Sequence, residues 1–322
     1  MQSLLTTTRA YRLLGADEQR GELSHAYLLL FDDGPNLRVA LKTFAKRLFA
    51  CEKEETQAQQ RVSKLIDDEN FSDCLFFPEP GKKFMVEDAE TISEESLLKP
   101  VEGEKKLFVV DGFDFATPAA QNKLLKLLEE PPEGVLFLLG ARTEYPVLPT
   151  VLSRVKTLEI PPFSTEEIKG ALLRNYGGRY EMNDYELCAA ACGGSLGAAQ
   201  DMLDSGSYKQ LVENAFALCL AKSHELPQAV KKVGDTKRKR ELLSLLRILF
   251  RDALLYKTGT LAKNAMLQSE KSRLQAIANG YSLSALVYAQ EAISEAEKDV
   301  AFNAYFPQCV ELLIAKIQRK GK

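Results

Sequence analysis

The 322-residue chain has no tryptophan, two histidines and six cysteines, and these scarcities narrow its chemistry. With only His25 and His224, a histidine-rich metal centre is excluded by count. The cysteines (Cys51, Cys74, Cys188, Cys192, Cys219, Cys309) form no CxxC pair, so no zinc-ribbon spacing or dithiol redox motif is present. No apolar run nears the ~20 residues of a membrane-spanning helix, and "MQSLLTTTRAYRLLG" lacks the apolar stretch of a signal peptide. A cytoplasmic chain without a disulfide framework and without a membrane partner is expected. Neither charge sign dominates: 42 Lys and Arg stand against 45 Asp and Glu, for a net charge of -3. That balance argues against a surface wholly devoted to nucleic acid and leaves a local basic patch open.

Hydrophobic residues at 45% and charged residues at 27% are the balance of a globular protein with sizeable cores, and the length suggests two or three domains. The first half alternates strand and helix. Tyr27–Phe31 reads as a buried strand, and "NLRVALKTFAKRLFA" sets Leu37, Leu41, Phe44, Ala45 and Leu48 on one helical stripe. Cys51–Asn70 is polar and reads as one or two solvated helices. "DCLFF", "KFMVE", "KLFVVDGFD", "GVLFLLGA" and "VKTLEI" read as strands. Thr117 before Pro118 predicts a helix start, and Pro131-Pro132 its end. Such alternation implies an α/β fold, a parallel sheet with helices on both faces. After Pro161-Pro162 strand signals nearly vanish, and Ser164 with Glu167 predicts a capping box. A helical segment to about Leu203 and a helical tail follow, which places domains at 1–162, 163–205 and 206–322.

"YLLLFDDGPNLRVALKTFAKRLF" has the strand, turn and helix of a phosphate-binding loop. A working loop needs glycines, a lysine for the β/γ-phosphates and a Ser/Thr for Mg²⁺. The partner strand should end in an Asp for the metal's shell and a carboxylate to polarise water. Here that strand ends "VVDGFD": Asp111 takes the metal position and Gly112 the catalytic one. Glycine cannot orient or deprotonate water, and general-base help is worth roughly 10²–10⁴-fold.

"VVDGFDFATPAAQNKLLKLLEEPPEGVLFLLGARTEYPVLPTVLSRV" resembles the bacterial DNA polymerase III clamp-loader subunits, a AAA+ family. In that family the strand with the metal-binding Asp leads to an "AANALLKxLEEPP" helix, then a sensor strand, an "LLPTxxSRC" segment and "PxS". "SHAYLL" is similar to the strand before the family's loop, "FAKRLFAC" to the helix after it, and "GGSLGAA" to its sensor-2 helix. The resemblance implies a degenerate AAA+ core, a small helical lid and an all-α collar.

Departures from the family pattern narrow the reading. The loop lysine position falls on Leu37 and the Ser/Thr position on Arg38; Gly34 is in place, and Asp32 and Asp33 bring charge that repels phosphate. The sensor-2 arginine position holds Gly197. No productive ATP binding and no hydrolysis in cis are expected, with Asp111 a residual acid. Ser153-Arg154-Val155 keeps the family's arginine, which the resemblance casts as a finger toward a neighbour's γ-phosphate, worth ~10³–10⁵ in rate. The alternative is a surface or salt-bridged arginine after a turn. This combination is similar to the delta-prime type, a non-hydrolysing stator; an active gamma/tau-like ATPase and a clamp-opening delta subunit are the alternatives.

The implied partners are gamma/tau and delta subunits, weakly the sliding clamp, and primer-template DNA through the complex. Many relatives carry a four-cysteine zinc module after the helix ending near Cys51, whereas here Cys51 and Cys74 alone remain. Two thiols cannot close a tetrahedral site, so no zinc is expected. Cys188 and Cys192 share one helix face; buried thiols are expected rather than ligands. "KKVGDTKRKR" (Lys231–Arg240) is read as a solvated charge run, with contact to DNA phosphates as the alternative. The stripe of Leu242, Leu245, Leu246, Leu249 and Phe250, widened by Ile248, Leu254 and Leu255, is tertiary core or a face toward partner tails.

Overall fold

A computed structural model describes residues 1–49, 57–259 and 270–320. The chain divides into two compact units, Met1–Pro162 and Phe163–Lys322.

Among the described residues, the first unit runs α1 (Gln2–Leu5), α2 (Arg9–Arg20), β1 (Ala26–Leu30), α3 (Gly34–Phe49), α4 (Gln57–Asp67), β2 (Cys74–Phe77) and α5 (Val86–Glu95). It continues with β3 (Lys106–Val110), a 3₁₀ turn (Phe113–Phe115), α6 (Pro118–Glu129), β4 (Val135–Ala141), α7 (Pro149–Leu152) and β5 (Lys156–Glu159). The strands form one parallel sheet in the order β2-β3-β4-β1-β5.

Strand side chains alternate between two faces, and both faces are covered, so the strands read as unbroken apolar runs. Ala26 and Leu28 of β1 and Phe137 and Leu139 of β4 pack with Ala89 and Ile92 of α5 and with Ala120, Leu124 and Leu128 of α6. On the other face α3 lies against β4. It approaches so closely that a Cβ at Gly140 would stand 2.7 Å from Leu41 Cδ1, and only glycine fits there.

One predicted strand is corrected. "KFMVE" does not pair; Val86 opens α5 instead, because the Asp88 carboxylate accepts from the Met85 N–H at 2.8 Å and caps the first turn. The predicted caps formed by Thr117 on α6 and by Ser164 with Glu167 are present.

The second unit is helical among its described residues: α8 (Thr165–Tyr176), α9 (Met182–Ala191), α10 (Leu196–Asp204), α11 (Ser207–Leu220), α12 (Leu226–Val233), α13 (Lys239–Lys257), α14 (Lys271–Gly280), α15 (Leu283–Ala301) and α16 (Phe306–Arg319). Helix α13 packs with α9, α11, α14 and α15. Leu242, Leu245, Leu246, Ile248, Leu249 and Phe250 are buried, while Leu254 and Leu255 are half-buried. Segments 163–205 and 206–322 fall within this one unit. Arg238, just before α13, donates to Asp201 of α10 at 2.6 Å and to Ser205 at 3.3 Å. Within Lys231–Arg240, then, Arg238 is internal, while Lys231, Lys232, Lys237 and Lys239 are exposed. Cys188 and Cys192 are both buried, and burial pushes the Cys188 thiol up.

Candidate functional site

Because the strands are parallel, their C-terminal ends line one edge of the sheet and their N-terminal ends the other. The residues singled out in the first unit gather at both edges.

At the C-terminal edge, the turns after β1, β2, β3 and β4 surround a cavity of about 350 Å³ whose lining includes Gly34, Leu37, Arg38, Lys82, Asp111 and Arg142. This is where an α/β sheet places its ligands. Arg38, in the first turns of α3, reaches across it. Its Nη1 donates to Asp111 Oδ2 at 3.3 Å and to the Pro78 carbonyl at 3.1 Å. Its Nε and Nη2 form a fork on Glu69, at 2.7 and 2.6 Å. Lys42, one turn further along α3, adds a second cation on Glu69 at 2.8 Å.

Hydrogen bonds from Arg38 hold the Glu69 carboxyl at about 2, far below its ordinary range, against the effect of burial and with help from Lys42. Asp111 moves the other way. Burial raises it even though Arg38 opposes the rise, since the guanidinium's two shorter bonds go to Glu69. Arg38 is itself raised, chiefly by its bonds to Glu69.

The rest of the loop is built for packing. Leu37 is buried, with 2% of its surface exposed, where a cation would need to project. Asp33 is buried and accepts from the Asn36 side chain at 2.9 Å, while Asp32 pairs with Arg142 at 3.2 Å. Neither acid lines the cavity. The Arg142 side chain lies over Gly34, with Cδ 3.2 Å from where a Cβ there would sit. Gly112 has φ 65° and ψ 39°, a left-handed turn that glycine enters freely and a residue with a side chain enters at a cost of roughly 1–2 kcal/mol.

At the N-terminal edge, Arg154 follows α7 and precedes β5. Its guanidinium donates to the Thr150 carbonyl at 2.8 Å and Ser153 Oγ at 2.9 Å, and pairs with Glu129 at 2.6 Å. Arg154, Ser153 and Glu129 border an open cavity of about 610 Å³ with His25 and Lys156. His25 Nε2 donates to the Leu128 carbonyl at 2.8 Å, fixing the end of α6 beside β1. Buried Gln121 accepts from Leu148 N–H at 2.8 Å and donates to the Pro146 carbonyl at 3.1 Å, which sets the start of α7 and so the place of Arg154. The length of β1, about 16 Å at ~3.3 Å per residue, separates this cavity from the Arg38 cavity along the strands.

Sequence reasoning identified Arg38, Asp111, Gly112 and Arg154 but not their companions Glu69, Arg142, Glu129 and Gln121. Glu69 lies 31 residues from Arg38 in an otherwise polar stretch, and no local signal marks it. Gly197 lies buried in the first turn of α10. Cys51 lies outside the described residues. Among the described residues no group of three or more His, Cys, Asp or Glu is placed to hold a metal ion, and no helix is long and apolar enough to cross a membrane.

Residues 6–164 match the family described as DNA polymerase III, delta subunit. The chain is 29% identical to DNA polymerase III subunit delta' of Bacillus subtilis over 166 residues, 51% of this chain and 50% of that one. It is 26% identical to the tau subunit of the same organism over 266 residues, 74% of this chain and 47% of that one. The chain thus spans about half the length of these curated relatives. The crystal structure of a DNA polymerase III gamma subunit-related protein from Thermotoga maritima aligns at 19% identity and TM-score 0.43, covering 98% of this chain and 100% of that one. The match across residues 6–164 thus spans nearly all of the parallel α/β unit, and it is this unit that is similar to the DNA polymerase III, delta subunit family.

Proposed function

We propose that this chain is the delta-prime-type stator of a DNA polymerase III clamp loader. It assembles with gamma/tau and delta subunits in the cytoplasm, helps load the sliding clamp onto primed DNA, and supplies Arg154 to a neighbour's ATPase site. Its core (1–162) binds no ATP productively, its lid is 163–205 and its collar 206–322. It touches the clamp weakly and primer-template DNA through the complex, and it carries no zinc.

One observation carries this reading: Arg154 stands at the sheet edge opposite the chain's own cavity. An arginine placed there cannot reach a phosphate bound in cis, whereas it is half-exposed toward anything docked on that edge. The first cavity supports the stator half of the proposal, since leucine holds the lysine position and a left-handed glycine the place of the carboxylate.

The test is reconstitution with gamma/tau and delta subunits. Arg154→Ala is expected to leave assembly on gel filtration intact and to lower hydrolysis at the adjoining site about 10³-fold, read in single turnover; Arg154→Lys recovers little of it, because a lysine lacks the planar fork. Unchanged hydrolysis overturns the trans role. The longer alignment with tau favours the second reading, an active ATPase; micromolar binding and turnover of Mg-ATP by the chain alone would establish that reading instead.

A further inference from the structure

A nucleotide and its magnesium do not fit the C-terminal cavity, and the reason is more specific than a missing lysine. In a working pocket the metal sits between a hydroxyl in the first turn of the loop helix and the acid that ends the neighbouring strand. Here the hydroxyl position is Arg38, and its guanidinium stands 3.3 Å from that acid, Asp111. Around the same group converge the Pro78 carbonyl and both oxygens of Glu69. Carboxylates and a carbonyl make up the all-oxygen set that a hard divalent cation takes, and a tethered cation already holds it.

We infer that Arg38 is a built-in counter-ion in place of the divalent metal, and that the former nucleotide pocket works as a permanent clasp. One side chain ties together α3, the turn after α4, the end of β2 and the end of β3. Two further observations bear on this. Glu69 adopts φ 58° as the left-handed residue that ends α4, where the Asn70 N–H donates to the Leu65 carbonyl at 2.8 Å; its carboxylate meets Arg38 and Lys42. Arg38 also lies over the Phe76 ring, 5.6 Å from its centroid, and only 18% of its side chain is exposed. A metal leaves when its nucleotide leaves, whereas a covalently attached guanidinium stays charged at any physiological pH. The α/β unit is thereby held in one arrangement with no ligand to gain or lose.

The test uses the whole 322-residue chain, alone, so its outcome is separate from the stator reading. The probes are thermal unfolding with and without MgCl₂ or MnCl₂, and Mn²⁺ binding followed by electron paramagnetic resonance. The wild-type chain is expected to show no shift in Tm and no bound Mn²⁺. Arg38→Ser, which places a hydroxyl beside Asp111 with no cation on it and leaves Glu69 to Lys42 alone, is expected to melt about 5 °C lower, to bind about one Mn²⁺ per chain, and to regain part of the lost Tm with the metal. Arg38→Lys keeps the charge and loses the fork; it melts between the two and stays indifferent to metal, which keeps the test decisive if the serine variant does not fold. The inference is overturned by Mn²⁺ binding to the wild type that Asp111→Asn abolishes, by a serine variant that neither loses stability nor binds metal, or by a lysine variant that binds metal.

Discussion

The sharpest stability prediction concerns the contact that seats α3, and with it Arg38, on the sheet. Gly140 of β4 pairs in register with Leu29, and Leu41 of α3 fills the space above it. A methyl group at position 140 would lie 2.7, 2.9 and 3.1 Å from Leu41 Cδ1, Cδ2 and Cγ. Leu41 is fully buried, so it has nowhere to turn without moving the helix. Gly140→Ala is therefore expected to destabilise the α/β unit by about 1–3 kcal/mol, or roughly 3–8 °C in Tm for a unit of this size. Leu41→Ala alone opens a cavity and costs about 2–5 kcal/mol. In the double variant the new methyl occupies the vacated space, so the sum should overshoot the measured loss by about 1–2 kcal/mol. Urea unfolding followed by far-UV circular dichroism and tyrosine fluorescence reads this directly, since the chain has no tryptophan. Strict additivity of the two substitutions would refute the reasoning, because it would mean that the helix and strand do not share that space.

Three further expectations concern the ion pairs. Glu69 titrates at about 2 when folded, against an ordinary 4.5, because Arg38 and Lys42 stabilise its charge. That stabilisation is complete above pH 4.5 and is lost as the pH falls through the folded value, about 2 kcal/mol after allowing for partial exposure; Glu69→Gln should flatten the acid limb of a stability-versus-pH curve over that window, and an unchanged limb would assign the acid loss elsewhere. Asp111 acts with the opposite sign, since burial raises it, so Asp111→Asn should not mimic Glu69→Gln. At the other edge, Glu129 competes with any incoming phosphate for Arg154, yet the pair is half-exposed and worth no more than ~1 kcal/mol. Glu129→Gln is expected to leave Tm within about 1 °C and to raise the neighbour's ATPase rate by up to about fivefold; a fall in rate would show instead that Glu129 aims the arginine.

Much of this protein is legible in its residue order alone, wherever the information is local. Apolar runs bounded by turns mark the strands from Tyr27 to Glu159; Thr117-Pro118 and Ser164 with Glu167 mark helix starts through contacts three residues apart. That leucine stands at 37 and glycine at 112, where the resemblance implies a lysine and a carboxylate, is likewise a matter of residue type at a given offset. "KFMVE" misled because a three-residue apolar run, Phe84 to Val86, suits a strand as well as the lead-in to a helix, and the Asp88 cap decided between them. What only the tertiary structure decided is which charges meet. Arg38 finds Glu69 and Asp111 across 31 and 73 positions, and Arg154 finds Glu129 across β4 and α7. No periodicity encodes such pairings, because they depend on the order β2-β3-β4-β1-β5, which brings distant turns to one edge and sets Arg154 at the other. The residue order alone places leucine at 37 and arginine at 38; the folded chain brings that arginine to Glu69, Pro78 and Asp111.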